Sequence, residues 1–100
     1  MTNALEEFKG HVGSQEIICV SLYCYVEVES AYLLRKDYTP EDFKLFLQSL
    51  NFEYDSNYTG QQLYGTIWYA DGAWSSRGEY AGYDHWQHNI MPDIPNELLA

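Results

Sequence analysis

One run of the chain restricts its fold more than any other, residues 16–29. Its even positions, Ile18, Val20, Leu22, Cys24, Val26 and Val28, are all apolar. Its odd positions pass from Ile17 and Cys19 through Ser21, Tyr23 and Tyr25 to Glu27 and Glu29. A period of two turns alternate side chains to opposite faces, so the pattern predicts a strand with the even set on a core and the odd set partly wet. The run exceeds the usual five or six residues of a strand, which calls for a bend, a bulge or a hairpin. A half-buried strand needs neighbours beside it and a layer over its apolar face.

The rest of the chain supplies both. Residues 31–36 read as a second, short strand. Thr39, Pro40, Glu41 and Asp42 form a helix start, and Phe43, Phe46, Leu47 and Leu50 follow as an i, i+3, i+4, i+7 stripe that suits the even face of the strand. Asp42 stands where a full capping box carries Glu or Gln. Residues 3–9 read as a short helix with Asn3 as cap and Gly10 as stop. Residues 63–80 read as a hairpin around Asp71-Gly72, a favoured two-residue turn, which would pair Tyr69 with Trp74 and set Ser75 and Arg77 on the face of Trp68. The expectation is one α+β domain over residues 1–100: a small antiparallel sheet of about four strands with one main helix packed on one face.

Charge restricts the partners. Fifteen Asp and Glu against five Lys and Arg give a net charge of −10. Such a chain lacks the cations that displace counterions from a phosphate backbone, so nucleic acid and anionic membranes are excluded and basic proteins are favoured. Cys19 and Cys24 are five residues apart in a strand, roughly 16 Å and on opposite faces, too far for a disulfide. Free thiols and opening residues without a basic and then apolar leader predict a cytoplasmic location.

No phosphate loop, dinucleotide fingerprint, nucleophile elbow or CxxC motif occurs, and no enzymatic role and no cofactor are expected. Asp84, His85 and His88 would share a metal only if a helix brought both histidines together, and no metal is expected there. Two aromatic and acidic patches stand out instead. Tyr23, Tyr25, Glu27 and Glu29 line the non-core face of the first strand, and either form a binding patch or lie under the N-terminal helix. Asp71, Trp74, Glu79 and Asp84 belong to an aromatic segment, with Trp68, Tyr80, Tyr83 and Trp86, that holds one cation, Arg77. At least one of the three tryptophans should be core. Rings that anchor and carboxylates that meet Lys or Arg are the chemistry of a protein-binding patch.

Small size, acidity, ten tyrosines and the stretch from Trp68 to Tyr80 resemble the small counter-defence proteins of phages and mobile elements, the anti-CRISPR and anti-restriction proteins, some of which mimic DNA. The chain departs from the DNA mimics in having fewer carboxylates. The resemblance implies an inhibitor, phage-encoded, that occupies the nucleic-acid-binding face of a basic host protein. The alternative is an accessory module that associates with itself as a homodimer.

Overall fold

The computed structural model describes every residue except 26–28, 56–60, 81–82, 92–93 and 100, and the side chains of Glu29, Glu79, Tyr80 and Tyr83 are also outside the description. Glu27, Val26 and Val28 therefore lie outside the described residues. The chain runs β1 (Thr2–Asn3), α1 (Ala4–Val12), β2 (Ile17–Tyr25), β3 (Glu29–Leu34), α2 (Pro40–Ser49), β4 (Glu53–Tyr54), β5 (Leu63–Tyr69), β6 (Trp74–Tyr80), β7 (Tyr83–Asn89) and a short 3₁₀ turn (Asn96–Leu98). The fold is α+β. A five-stranded sheet in the order β3-β2-β5-β6-β7 is antiparallel throughout, and β1 and β4 form a separate two-stranded pair. No described helix is long and apolar enough to cross a membrane.

Both helices lie on one face of the sheet. Phe46 and Leu50 of α2 and Phe8 and Val12 of α1 pack with Val20, Leu22, Leu34, Ile67 and Tyr69. The rings of Phe8 and Phe46 meet edge to face at 5.6 Å. Asn3 caps α1 through the amide of Glu6. Gly10 does not end this helix; it continues to Val12 and stops at Gly13, whose φ of 59° a side chain rarely adopts. His11 is consequently helical rather than part of a connector. The capping box of α2 is complete, because the shorter Asp42 still reaches the Thr39 amide at 3.0 Å while Thr39 Oγ1 accepts from the Asp42 amide at 3.1 Å.

Three strand expectations are corrected. The bulge between Ile17 and Cys19 reverses the phase of β2 at its start, so Ile17 is buried and Ile18 exposed, while Val20, Leu22 and Cys24 keep the expected face. The β5–β6 turn has three loop residues, not two. The Gly72 amide donates to Tyr69 O, the Tyr69 amide to Ala73 O, and only Gly72 has a positive φ. That is a type I turn closed by a glycine bulge. It pairs Trp68 with Trp74 and Ile67 with Ser75, one residue from the expected register. A one-residue shift changes the face of every side chain, so Ser75 and Arg77 go inside and Trp74 goes outside. Finally, residues 83–89 form a fifth strand, where the sequence suggested a loop or a helix. Gly65 makes the sheet possible at its centre: with φ 148°, a Cβ there would sit 2.2 Å from Ser21 O.

Candidate interaction surface

The two faces of the sheet carry different chemistry, and the inner one explains the charged residues of β6 and β7. Glu7 and His11 are one helical turn apart on α1, about 6 Å along the axis. Arg77 and Ser75 are two residues apart on β6, about 6.8 Å. The matched spacing lets Glu7 meet Arg77 while His11 meets Ser75.

Arg77 has a fully buried side chain. Its guanidinium donates to Glu7 Oε1 at 3.0 Å and to Tyr54 OH at 2.7 Å, and stands 3.9 Å from Asp84 Oδ2. It also lies over the Trp86 ring at 5.1 Å. Asp84 Oδ2 accepts the amides of Gln62 and Leu63, and Tyr54 donates to Glu7. Burial, and then the hydrogen bond to Glu7, push the Tyr54 hydroxyl well above its ordinary value. Burial, and then the Asp84 charge, push up the Cys24 thiol. Asp84 thus holds the core together from inside and is not available at the surface as a partner contact.

Ser75 is fully enclosed, 0% exposed. Its hydroxyl meets His11 Nε2 at 2.7 Å, Tyr69 OH at 2.7 Å and His88 Nδ1 at 3.4 Å. His11 stacks on Trp86 at 5.6 Å. Burial first and the neighbouring His88 second hold the His11 imidazole below its ordinary value; Arg77 acts the same way and Glu7 opposes them. A hydroxyl between two histidines has the elements of a nucleophile and base, but no substrate reaches an enclosed Ser75, and the contacts fasten α1 to β6 and β7. His85, three residues before His88 on a strand, falls on the other face beside Gln87, so the two histidines do not converge on one metal. Among the described residues no three His, Cys, Asp or Glu side chains are grouped to hold an ion.

Neither α1 nor α2 lies on the outer face. Tyr23, Tyr25, Tyr64, Trp68 and Trp74 are 36–60% exposed there, with Leu33 and Ile18. Tyr23 and Tyr25 are therefore not covered by the N-terminal helix, which packs on the opposite side. Tyr23 stands directly across from Tyr64, and Trp68 from Trp74. Between these two ring pairs runs a row of small hydroxyl side chains, Ser21, Thr66 and Ser76, paired in register. Rings that each present about 150–250 Å² leave roughly 450 Å² of aromatic surface open, already within the range of the largest apolar patch on an ordinary monomer. No described side chain on this face of β2, β5, β6 and β7 has a formal charge, although the chain carries −10. Acidic positions flank the face at its ends. Glu16 and Asp71 lie at the tryptophan end, where the Ala70 amide donates to Glu16 O. Glu29, opposite Tyr25, lies at the other end of the sheet, whereas Glu79 is the register partner of the inward Asp84 and does not belong to this face.

The sequence patches thus redistribute. Tyr23, Tyr25 and Trp74 share one surface, Asp71 edges it, and Asp84 leaves it. Tyr64 and Trp68 belong to it and were not among the expected contact residues; the alternation of Tyr64, Thr66 and Trp68 was the signal for them. Of the tryptophans, Trp86 packs against the core. This outer face is that of an α+β domain with one sheet surface free. No family model, no curated protein and no solved structure matches the chain.

Proposed function

We propose that this chain is a cytoplasmic protein-binding inhibitor or modulator that docks through the outer face of its sheet onto a basic, nucleic-acid-handling protein, in the manner of the counter-defence proteins it resembles. The observation that carries this reading is the open row of rings, Tyr25, Tyr23, Tyr64, Trp68 and Trp74, with acidic positions at both ends. Buried rings supply the affinity of a protein interface, and a charged rim supplies steering and register. A basic target meets the rings with its apolar side chains and meets Glu16 and Asp71 with Lys or Arg. It is then unable to hold its own nucleic acid. The reading gives the chain no catalytic role and no direct contact with DNA or RNA.

A photo-crosslinking residue at Tyr25 or Trp74, introduced in cells, tests it. The expected product at both positions is the same basic protein, released by its own nucleic acid and captured less well as salt rises. Trp68→Ala with Trp74→Ala should abolish capture. Tight binding of the wild-type chain to DNA or RNA at physiological salt would refute the proposal.

A further inference from the structure

We infer that the free protein is a two-fold dimer in which the outer sheet faces of two copies pack on each other, so that the surface proposed above for the target is hidden until the target displaces the second copy. The inference rests on the reading of that face as a docking surface, and it names what covers the face at rest.

Three observations point to a second copy. The first is area. About 450 Å² of ring surface, extended by Leu33, Ile18 and the neutral polar side chains between them, approaches the roughly 800 Å² that each partner contributes to a stable interface. The second is charge. Two chains of −10 each repel one another over most of their surfaces, but this face presents Tyr, Trp, Ser, Thr, Gln, Asn and His85 and no formal charge among its described side chains on β2, β5, β6 and β7. Two copies can touch across the described β2, β5, β6 and β7 part of this face without opposing carboxylates. A basic target finds complementary charge only at the ends of the face, whereas a second copy matches its centre.

The third is shape. The ring pairs Tyr23–Tyr64 and Trp68–Trp74 form two ridges about 13 Å apart, four residues along β5, with Ser21, Thr66 and Ser76 flooring the groove between them. A two-fold contact requires a surface that fits itself. A ridge beside a groove on one surface does so: the tryptophan ridge of each copy seats in the hydroxyl groove of the other. Aligned sheets pack about 10 Å apart, which rings of this size fill. The hydroxyls at the groove floor can meet the Trp68 and Trp74 indole N–H groups.

The test is sedimentation equilibrium of the purified chain over a wide dilution series, with tryptophan emission followed in parallel. The expected species is twice the 11.7 kDa chain, and added salt should strengthen it by screening the mutual repulsion. Dilution should dissociate it and shift the emission to the red, because Trp68 and Trp74 become wet. Thr66→Arg, which fills the groove that receives the second copy's tryptophan ridge, should weaken association at least 100-fold; Trp74→Glu, which puts a carboxylate on that ridge, makes the same test if the first variant does not fold. A chain that is monomeric at every concentration overturns the inference, as does a dimer that Thr66→Arg and Trp74→Glu leave intact or whose dissociation leaves the emission unchanged. Binding of a neutral oligosaccharide to the face of a strictly monomeric chain would likewise replace the second copy. The salt response separates this proposal from the preceding one. Dimerisation strengthens with salt and target capture weakens, so a monomeric wild type that still crosslinks its target at Trp74 overturns the dimer alone.

Discussion

The inner and outer faces of the same five strands solve opposite problems. The inner face takes in charge: Arg77 and Asp84 are buried there, held by Glu7 of α1, Tyr54 and backbone amides. The outer face presents rings to water, and no described side chain on its β2, β5, β6 and β7 positions has a formal charge. In a chain of net charge −10, the position of charge thus runs against ordinary expectation, with Arg77 and Asp84 in the core and aromatic rings outside. The lesson is that Trp74 and Arg77 meet different environments, although they lie on the same strand. Alternation on a strand divides neighbours between two environments, and the inner set answers to stability while the outer set is the one proposed for recognition.

The comparison breaks most readily at Arg77. Arg77→Leu leaves Asp84 buried without its cation, and should cost about 3–5 kcal/mol, read from chemical denaturation. A variant as stable as the wild type would show that the buried charges are not what ties α1 to the sheet. Phe46→Ala belongs to the same class of effect, about 3–5 kcal/mol, because it empties the edge-to-face contact with Phe8.

Gly65→Ala should follow, at about 1–3 kcal/mol or more, since the added methyl meets Ser21 O and the backbone must yield at the β2–β5 contact that both faces share. Its thermal melt should fall without loss of Trp68 exposure. A smaller effect is expected at His11. The imidazole is held below its ordinary value of 6.5, so the neutral form is favoured in the fold and the unfolded chain takes up the proton first. The stability His11 contributes is complete above pH 6.5 and is lost as pH falls below it. The melting temperature should decline through that window, and His11→Gln should flatten the decline. Trp74→Ala sharpens the contrast from the other side. An exposed ring on the open face of the single chain should change stability by no more than about 0.5 kcal/mol, measured at dilutions where the chain is monomeric, while removing target capture.

How much of this was legible depended on whether the signal was local. The strand of residues 17–25, the helix of residues 40–49 and the cap at Asn3 were readable because alternation, the apolar stripe and the capping residues lie within a few positions of one another. The free thiols followed from spacing in the same way. Asp71-Gly72 marked a turn but not its length. Two-residue and three-residue turns use the same dipeptide, and the choice depends on which flanking residues find a core to enter. Tyr69 and Ser75 settle it by meeting each other and His11 inside, which moves Trp74 out.

The amino-acid sequence by itself determined the α+β class, the single helix stripe, the acidity and the presence of aromatic residues in β2, β5 and β6. Only the tertiary structure decided which rings stand together, that Asp84 is a core residue and that His11 and Ser75 touch across 64 positions. The reason is physical. A strand's period assigns residues to two faces, but which face is inside depends on register, and register is set by what the helix on the other side can bury. Glu7 and His11 supply that demand from the first helix, and nothing near Arg77 and Ser75 in sequence records it.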